Sequence, residues 1–525
     1  VRSRRQRQMC IRDSRHTICG VEAADADWRR QESGAKLMTR HFSFDNSYAR
    51  LGPSFHRRTH PTVVEQPRLL LLNRPLAEEL GLDPEALATD EGARILAGNE
   101  LPEGAEPLAA AYAGHQFGNF VPQLGDGRAI LLGEFVDRNG HRRDIQLKGS
   151  GPTPFSRSGD GRAALGPVLR EYLVSEAMAA LHVPTTRALA AVTTGEAVYR
   201  EQVLPGAVLT RVASSHVRIG TFQFFAARGD QESVRRLADY VIARHDPEAA
   251  DAANPYQALL EGVCKRQARL VAQWMQVGFV HGVMNTDNMS ISGETIDYGP
   301  CAFLDAYDPA AVFSSIDRNG RYAFANQPMI AKWNLARLAE CLLPLFDTGG
   351  DAAVEEAYRI LDGFAETFKA AYLAGFGAKL GLNTQREGDA ALIETLLERM
   401  AQQRADFTLT FRRLGRAAED ADAIDAVAAL FDDPGVFAEW ANGWRARLDQ
   451  EPTQPGARRR AMDRVNPAII PRNHLVETVL AAASEGDLKP FESLSSALST
   501  PYEASPDYDA APPTPAQPYR TFCGT

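Results

Sequence analysis

The chain carries the stretch His281-Gly-Val-Met-Asn-Thr-Asp-Asn288, followed closely by Thr295-Ile-Asp-Tyr-Gly299. Asp287, Asn288 and Asp297 all offer hard oxygen donors. Two carboxylates and an amide oxygen in one small space suit Mg²⁺ or Mn²⁺ better than zinc. Residues 289–291 and 294–296 flank Ser292-Gly293 as the arms of a hairpin would. Such a hairpin brings Asp287 and Asn288 close to Asp297.

Protein kinases use the same order of parts: H-R-D-x-x-x-x-N, a hairpin, then D-F-G. His281 and Asn288 keep the His-to-Asn spacing, and Asp297-Tyr298-Gly299 stands for D-F-G. Val283 stands where a kinase has its catalytic aspartate. A valine cannot accept a proton, so the loop is kinase-like without being that of an ordinary kinase.

These donors need elements that bring a nucleotide to them. Residues 143–148 alternate, with Ile145 and Leu147 on one face, and predict a half-buried strand that delivers Lys148. Gly149-Ser-Gly-Pro152 and the polar turn Ser158-Gly-Asp-Gly-Arg162 follow. Apolar residues then recur at helical spacing from 165 to 181, with Pro167 suited to the first turn and Glu171 on the helix. Strand lysine followed by helix glutamate is how kinases pair a phosphate-holding Lys with a Glu. A solvated lysine and a surface glutamate are the plainer readings.

Upstream, Gly125-Asp-Gly-Arg128 precedes an apolar strand at 129–133. Glycines let backbone amides approach a phosphate, and the arginine adds charge; a simple hairpin turn fits equally. Strands are expected at 188–193, 197–201 and 207–213, and Arg211 and Arg218 bracket Ser214-Ser-His-Val217. Their planar, multi-donor heads suit a terminal phosphate, or they serve as ordinary ion-pair partners. A helix over 256–277 ends at Gly278, just before the central loop. Further helices are expected near 75–80, 335–342, 352–375, 389–415 and 421–431.

At 525 residues, 44% apolar and 24% charged, the chain has the composition of an ordinary globular protein. A formal charge of −10 argues against a surface that coats nucleic acid. There is no apolar run long enough to span a bilayer. The six cysteines, Cys10, Cys19, Cys264, Cys301, Cys341 and Cys523, form no CxxC pair, which indicates neither a zinc site nor a disulfide framework. A reducing cytoplasm is the expected setting, with no membrane and no nucleic-acid partner. The expected organisation is an Arg-rich non-native or disordered extension over 1–37, with Met38 reading as a start. A β-rich nucleotide-binding part over 38–255 and a helical part over 256–500 follow. A Pro-rich mobile tail over 501–525 ends in Cys523. The fold class is α+β, bilobal and protein-kinase-like.

The runs YAGHQFGNFVPQLGDGRA, DIQLKGSGPTPFSR, DGRAALGPVLREYLVSEAM, HGVMNTDNMSI, TIDYGP and NQPMIAKWNLARLAE together resemble the selenoprotein O family. That resemblance implies a kinase-like fold that transfers AMP from ATP to Ser, Thr or Tyr hydroxyls of proteins, with ATP flipped relative to kinases. It implies that Gly125, Gly127, Arg128, Lys148, Asp160, Gly161, Arg211 and Arg218 hold ATP. It implies Asp287 as proton acceptor and Asn288 and Asp297 as ligands of Mg²⁺ or Mn²⁺. A flipped ATP also accounts for Val283, because the attacked phosphorus is then α rather than γ. The resemblance implies a redox-active residue near the C-terminus, where this chain has Cys523; a Cys301–Cys523 disulfide that forms reversibly under oxidising conditions is one expectation, and a buried apolar Cys301 with a free Cys523 thiol is the other. A kinase that uses Asp287 in place of the missing aspartate, and a nucleotide-binding scaffold, are the competing readings.

Overall fold

The computed structural model describes residues 42–513 and 519–522. Its N-terminal part is built on an antiparallel sheet. In chain order the strands are β1 (His56–Arg58), β2 (Arg68–Leu72) and β3 (Leu108–Ala110), then the separate hairpin of β4 (Gly114–Gln116) and β5 (Asn119–Val121). Next come β6 (Ala129–Val136), β7 (Arg142–Lys148), β8 (Ala163–Ala164), β9 (Arg187–Tyr199) and β10 (Val203–Ala213). They lie side by side in the order β1-β3-β6-β7-β10-β9-β2, with the short β8 also pairing with β10. Three strands expected between 188 and 213 are two longer ones, because β9 and β10 form one long hairpin through Tyr199↔Val203.

Strand β7 is buried on both faces rather than half-buried. Asp144 and Gln146 point into polar partners instead of water: Asp144 accepts from His216 and Arg244, and Gln146 meets Arg211 and Asp126. Helix α1 (Leu165–Ala180) follows as expected, and α2 (Ile219–Ala226) and α3 (Gln231–His245) come after the sheet.

The C-terminal part is helical. Helix α4 (Pro255–Val277) is N-capped by Asn254 and stopped by Gly278 in the left-handed conformation. Helices α5 (Gln327–Leu342) and α6 (Gly350–Lys379) pack with α4 around a shared apolar core. A single helix expected over 389–415 is two, Asp389–Gln402 and Phe407–Ala417. The chain breaks at Arg404, whose φ is +51°, and Asp406 caps the second helix through Leu409 N at 2.8 Å. The β-rich part followed by a larger helical part gives the expected α+β, kinase-like order. Among the described residues no helix is long and apolar enough to cross a membrane.

Two features tie the end of the chain back to earlier parts. Helix α7 (Asn473–Ser484) and the helix Lys489–Leu498 return to the N-terminal part and bury Val476, Val479, Phe491 and Leu494 against Leu165, Leu169 and Tyr172 of α1. The described parts of the Pro-rich tail are also held in place. Pro501 O accepts from Ala468 N, and Thr521 exchanges backbone hydrogen bonds with Phe313 (2.8 Å) and Ser315 (2.9 Å). Tyrosine and threonine side chains supply what proline and alanine composition hides: Tyr519 meets Arg170 and Glu477, and Thr521 Oγ1 donates to Pro300 O.

Candidate active site

Strand β7 ends with Lys148 pointing across the sheet toward α1. Its Nζ lies 2.6 Å from Glu171 Oε2 and 3.3 Å from Asp297 Oδ1. The second Glu171 oxygen accepts from Arg211 Nε on β10, and Arg211 Nη2 stands 3.8 Å from Asp297 Oδ1. Burial alone would raise the Glu171 carboxyl, but Arg211 and Lys148 hold it down at about 2. Burial and then Arg211 lower the Lys148 ammonium. Glu171 therefore fixes two cations that face Asp297.

Asp297 itself adopts φ +68°, a left-handed conformation that Asp and Asn tolerate better than other side chains. Lys148, Arg211 and Arg128 overcome its burial and hold its carboxyl well below the usual range. The expected hairpin between it and Asp287 forms only as a turn, closed by Gly293 N to Ser290 O. Its two arms bridge outward instead, Ser290 to Arg218 and Thr295 to Thr185, because those edges offer backbone partners.

Asp287 sits in a one-turn 3₁₀ helix, Thr286–Asn288. Arg218 Nη1 donates to its backbone oxygen at 2.8 Å, and Gln116 Nε2 donates to its Oδ2 at 3.2 Å. Its Oδ1 is buried without a hydrogen-bond partner. Burial pushes this carboxyl up to about 6, against the pull of Arg218. Gly114 is what lets the β4–β5 hairpin come so near: a Cβ there would stand 2.6 Å from Asp287 Oδ1. Asn288 gives its Nδ2 to Val283 O at 3.1 Å, which leaves the amide oxygen for a cation.

These groups border one cavity of about 290 Å³. Gly125, Gly127, Arg128, Lys148, Asp160, Gly161, Arg211, Arg218, Asp287, Asn288 and Asp297 all line it, and cationic side chains outnumber carboxylates around it. Such a wall suits a polyphosphate. Asp160 also pairs with Arg200 at 2.8 Å. Gly125, at φ +78°, gives up the space of a side chain to the Phe155 ring. Glu171 lies behind Lys148 and borders a second cavity with Gly299 and Tyr519. Among the described residues no three His, Cys, Asp or Glu side chains cluster as a metal cage. Two carboxylates and an amide still fit Mg²⁺, which keeps waters and completes its shell with substrate phosphates.

Three residues at the site escape sequence reasoning. Tyr112 lies under the Arg218 guanidinium, 4.6 Å from ring centroid to Cζ. Asp126 stands 3.6 Å from Arg218 Nη2, and Gln116 holds Asp287. All three fall in the small, aromatic-rich run 108–133, and the Gly-Asp-Gly-Arg motif at 125–128 was its only chemical signal. Cys301 is fully buried, its thiol pushed up to about 11 by burial. Cys523 lies outside the described residues, so the structure does not bear on the expected Cys301–Cys523 pair.

A family model described as protein adenylyltransferase SelO matches residues 38–499. The chain belongs to this family. SelO-family relatives named protein nucleotidyltransferase YdiU include one from Methylorubrum populi, 66% identical over 498 residues. Another, from a Bradyrhizobium strain, is 65% identical over 492 residues. Each alignment covers 93% of this chain and the whole of the relative. With SelO membership comes the enzyme class: the chain is a nucleotidyltransferase.

Proposed function

We propose that the chain transfers AMP from ATP to Ser, Thr or Tyr hydroxyls of proteins and releases pyrophosphate. One observation carries the reading. A buried carboxylate with one unpartnered oxygen, Asp287, shares a cavity with the cationic set Lys148, Arg211 and Arg218, while buried Val283 takes the place of a kinase's catalytic aspartate. Asn288 and Asp297 are the donors for Mg²⁺ or Mn²⁺, which when bound offsets charge on the phosphate oxygens.

In this reading the α-phosphate lies near Asp287 and the β- and γ-phosphates lie against Lys148, Arg211 and Arg218. The acceptor oxygen bonds to the α-phosphorus as the bond from that phosphorus to the pyrophosphate oxygen breaks. The hydroxyl proton passes to Asp287, a step typically worth about 10²–10⁴-fold. The cations stabilise the charge that grows on pyrophosphate. Gly125, Gly127, Arg128, Asp160 and Gly161 hold the rest of the nucleotide. Glu171 acts through Lys148 and Arg211 by fixing their heads.

The test is ATP labelled on the α- or on the γ-phosphate, incubated with the protein and an acceptor protein. Label from the α position on the acceptor is expected. Label from γ would make the chain a kinase, and no label from either would make it a scaffold.

A further inference from the structure

The β4–β5 hairpin turns one side to the catalytic loop and the other outward. The inner side is bonded to that loop and its support: His115 N donates to Thr286 Oγ1 at 2.7 Å, Phe117 N donates to Asn285 Oδ1 at 3.1 Å, and His115 Nδ1 meets Gln223 Nε2 at 2.8 Å. On the outer side the His115 ring stands 5.0 Å from Phe120 and 5.2 Å from Trp333 of α5. Phe120 is 40% exposed. Arg321 and Arg337 each place a guanidinium 4.8 Å from the Trp333 ring centroid. An aromatic face attracts such a cation without cancelling its charge.

Arg321 is poorly neutralised, and Arg337 only by a solvent-exposed partner. Both Nε atoms are buried without a hydrogen-bond partner. Arg337 has one exposed carboxylate, Glu340, at 2.6 Å. Arg321 has no carboxylate at ion-pairing distance among the described residues. After burial, the field of Arg337 is what most depresses the basicity of His115, and Arg321 adds to it. On a chain of net charge −10 this is a local reversal of sign. It also stands beside the reacting end of the site. The neighbour of Arg321, Tyr322, donates to Asn285 Oδ1 at 2.6 Å, two residues from Asp287.

We propose that Phe120, His115, Trp333, Arg321 and Arg337 form a platform that docks the acceptor protein through an acidic segment next to the modified hydroxyl. The proposal rests on the reading of the site as one that transfers AMP to a protein side chain. The rings supply rigid contact area and the guanidiniums supply sign selection. Interfaces commonly divide the work this way, between aromatic anchors and charged groups that reject the wrong partner. Acceptors with basic residues beside the hydroxyl are disfavoured.

The experiment uses the full chain, α-labelled ATP with Mg²⁺ or Mn²⁺, and two synthetic peptides of equal length. Each holds one threonine, flanked by glutamates in one peptide and by lysines in the other. The acidic peptide is expected to react with a kcat/KM at least about tenfold higher, and 0.5 M salt narrows the gap. Arg321→Glu and, separately, Arg337→Glu should erase the preference through the peptide KM, while the KM for ATP stays put. Arg321→Lys should retain it. Equal use of the two peptides would overturn the proposal. So would a preference that survives both charge reversals, or reaction with neither peptide while ATP is still split between the α- and β-phosphates. If the wild-type chain releases no AMP and no pyrophosphate at all, the underlying reading of the site has failed, and the platform with it.

Discussion

Gln116 donates its side-chain amide to Asp287 Oδ2 across 3.2 Å, from a hairpin 171 positions upstream in sequence. One carboxylate oxygen is thereby held, and the other, buried and unpartnered, is left for chemistry. The hairpin is itself tied to the loop through Thr286 and Asn285, so Asp287 is oriented from outside its own turn.

Gln116→Leu should lower kcat about 10- to 100-fold with little change in the KM for ATP, since a misplaced base costs rate more than binding. Gln116→Glu should be worse, because it sets a second carboxylate against Asp287. Steady-state rates of AMP transfer at saturating ATP check both. Unchanged kcat in the leucine variant would remove Gln116 from the site's machinery.

Asp297→Asn should abolish transfer, by about a thousandfold or more, while the chain stays folded. Asparagine tolerates the positive φ at this position, so the backbone is kept and only the charge is lost. Lys148 and Arg211 then face a neutral group, and the proposed metal site loses its main carboxylate. Circular dichroism alongside α-label transfer separates loss of chemistry from loss of fold.

Val283→Asp should not create a kinase. Val283 is 5% exposed, and a carboxylate there restores only the residue type, not the position of the γ-phosphate. In the proposed arrangement that phosphate lies near Lys148 and the arginines, so γ-label on acceptor protein should stay at background. A γ-labelled product would show that the nucleotide is not flipped.

Lys379, at the end of α6, is 3% exposed, with its ammonium 4.5 Å from the Phe411 ring centroid and 5.6 Å from that of Phe407. Burial lowers its pKa to about 7, against an unfolded value of about 10.4. Between those values the unfolded chain holds more protons, so stability rises with pH from about 7 to about 10.4 and is least below that window. Lys379→Met should raise the melting temperature by a few degrees at pH 6. That gain should shrink at pH 9, and thermal melts at the two values check it.

The shared cavity of Asp287, Asn288 and Asp297 and the Lys148–Glu171 pair were legible because each depends on local spacing: a strand's alternation, a helix's period, a short motif. The β4–β5 hairpin was not legible. Its residues, Gly114 to Val121, show no alternation, and their role comes from partners some 170 positions away, Asn285 to Asp287. Glu171 needed Arg211 as well as Lys148, a pairing set by the β7–β10 register that no sequence window contains. In the tail, proline and alanine composition says nothing of the specific partners that Tyr519 and Thr521 find.

Helix α7 and the helix Lys489–Leu498 seal the apolar face of α1, the helix that carries Glu171. A ribosome makes them after both parts of the cavity, at about 5–20 residues per second, so tens of seconds separate α1 from its covering. Until then the side of α1 away from β9 and β10 is uncovered, and the helix that carries Glu171 is held from one side only. A nascent chain that already contains every cavity-lining residue should therefore be inactive, and competence should arrive only as its last helices emerge.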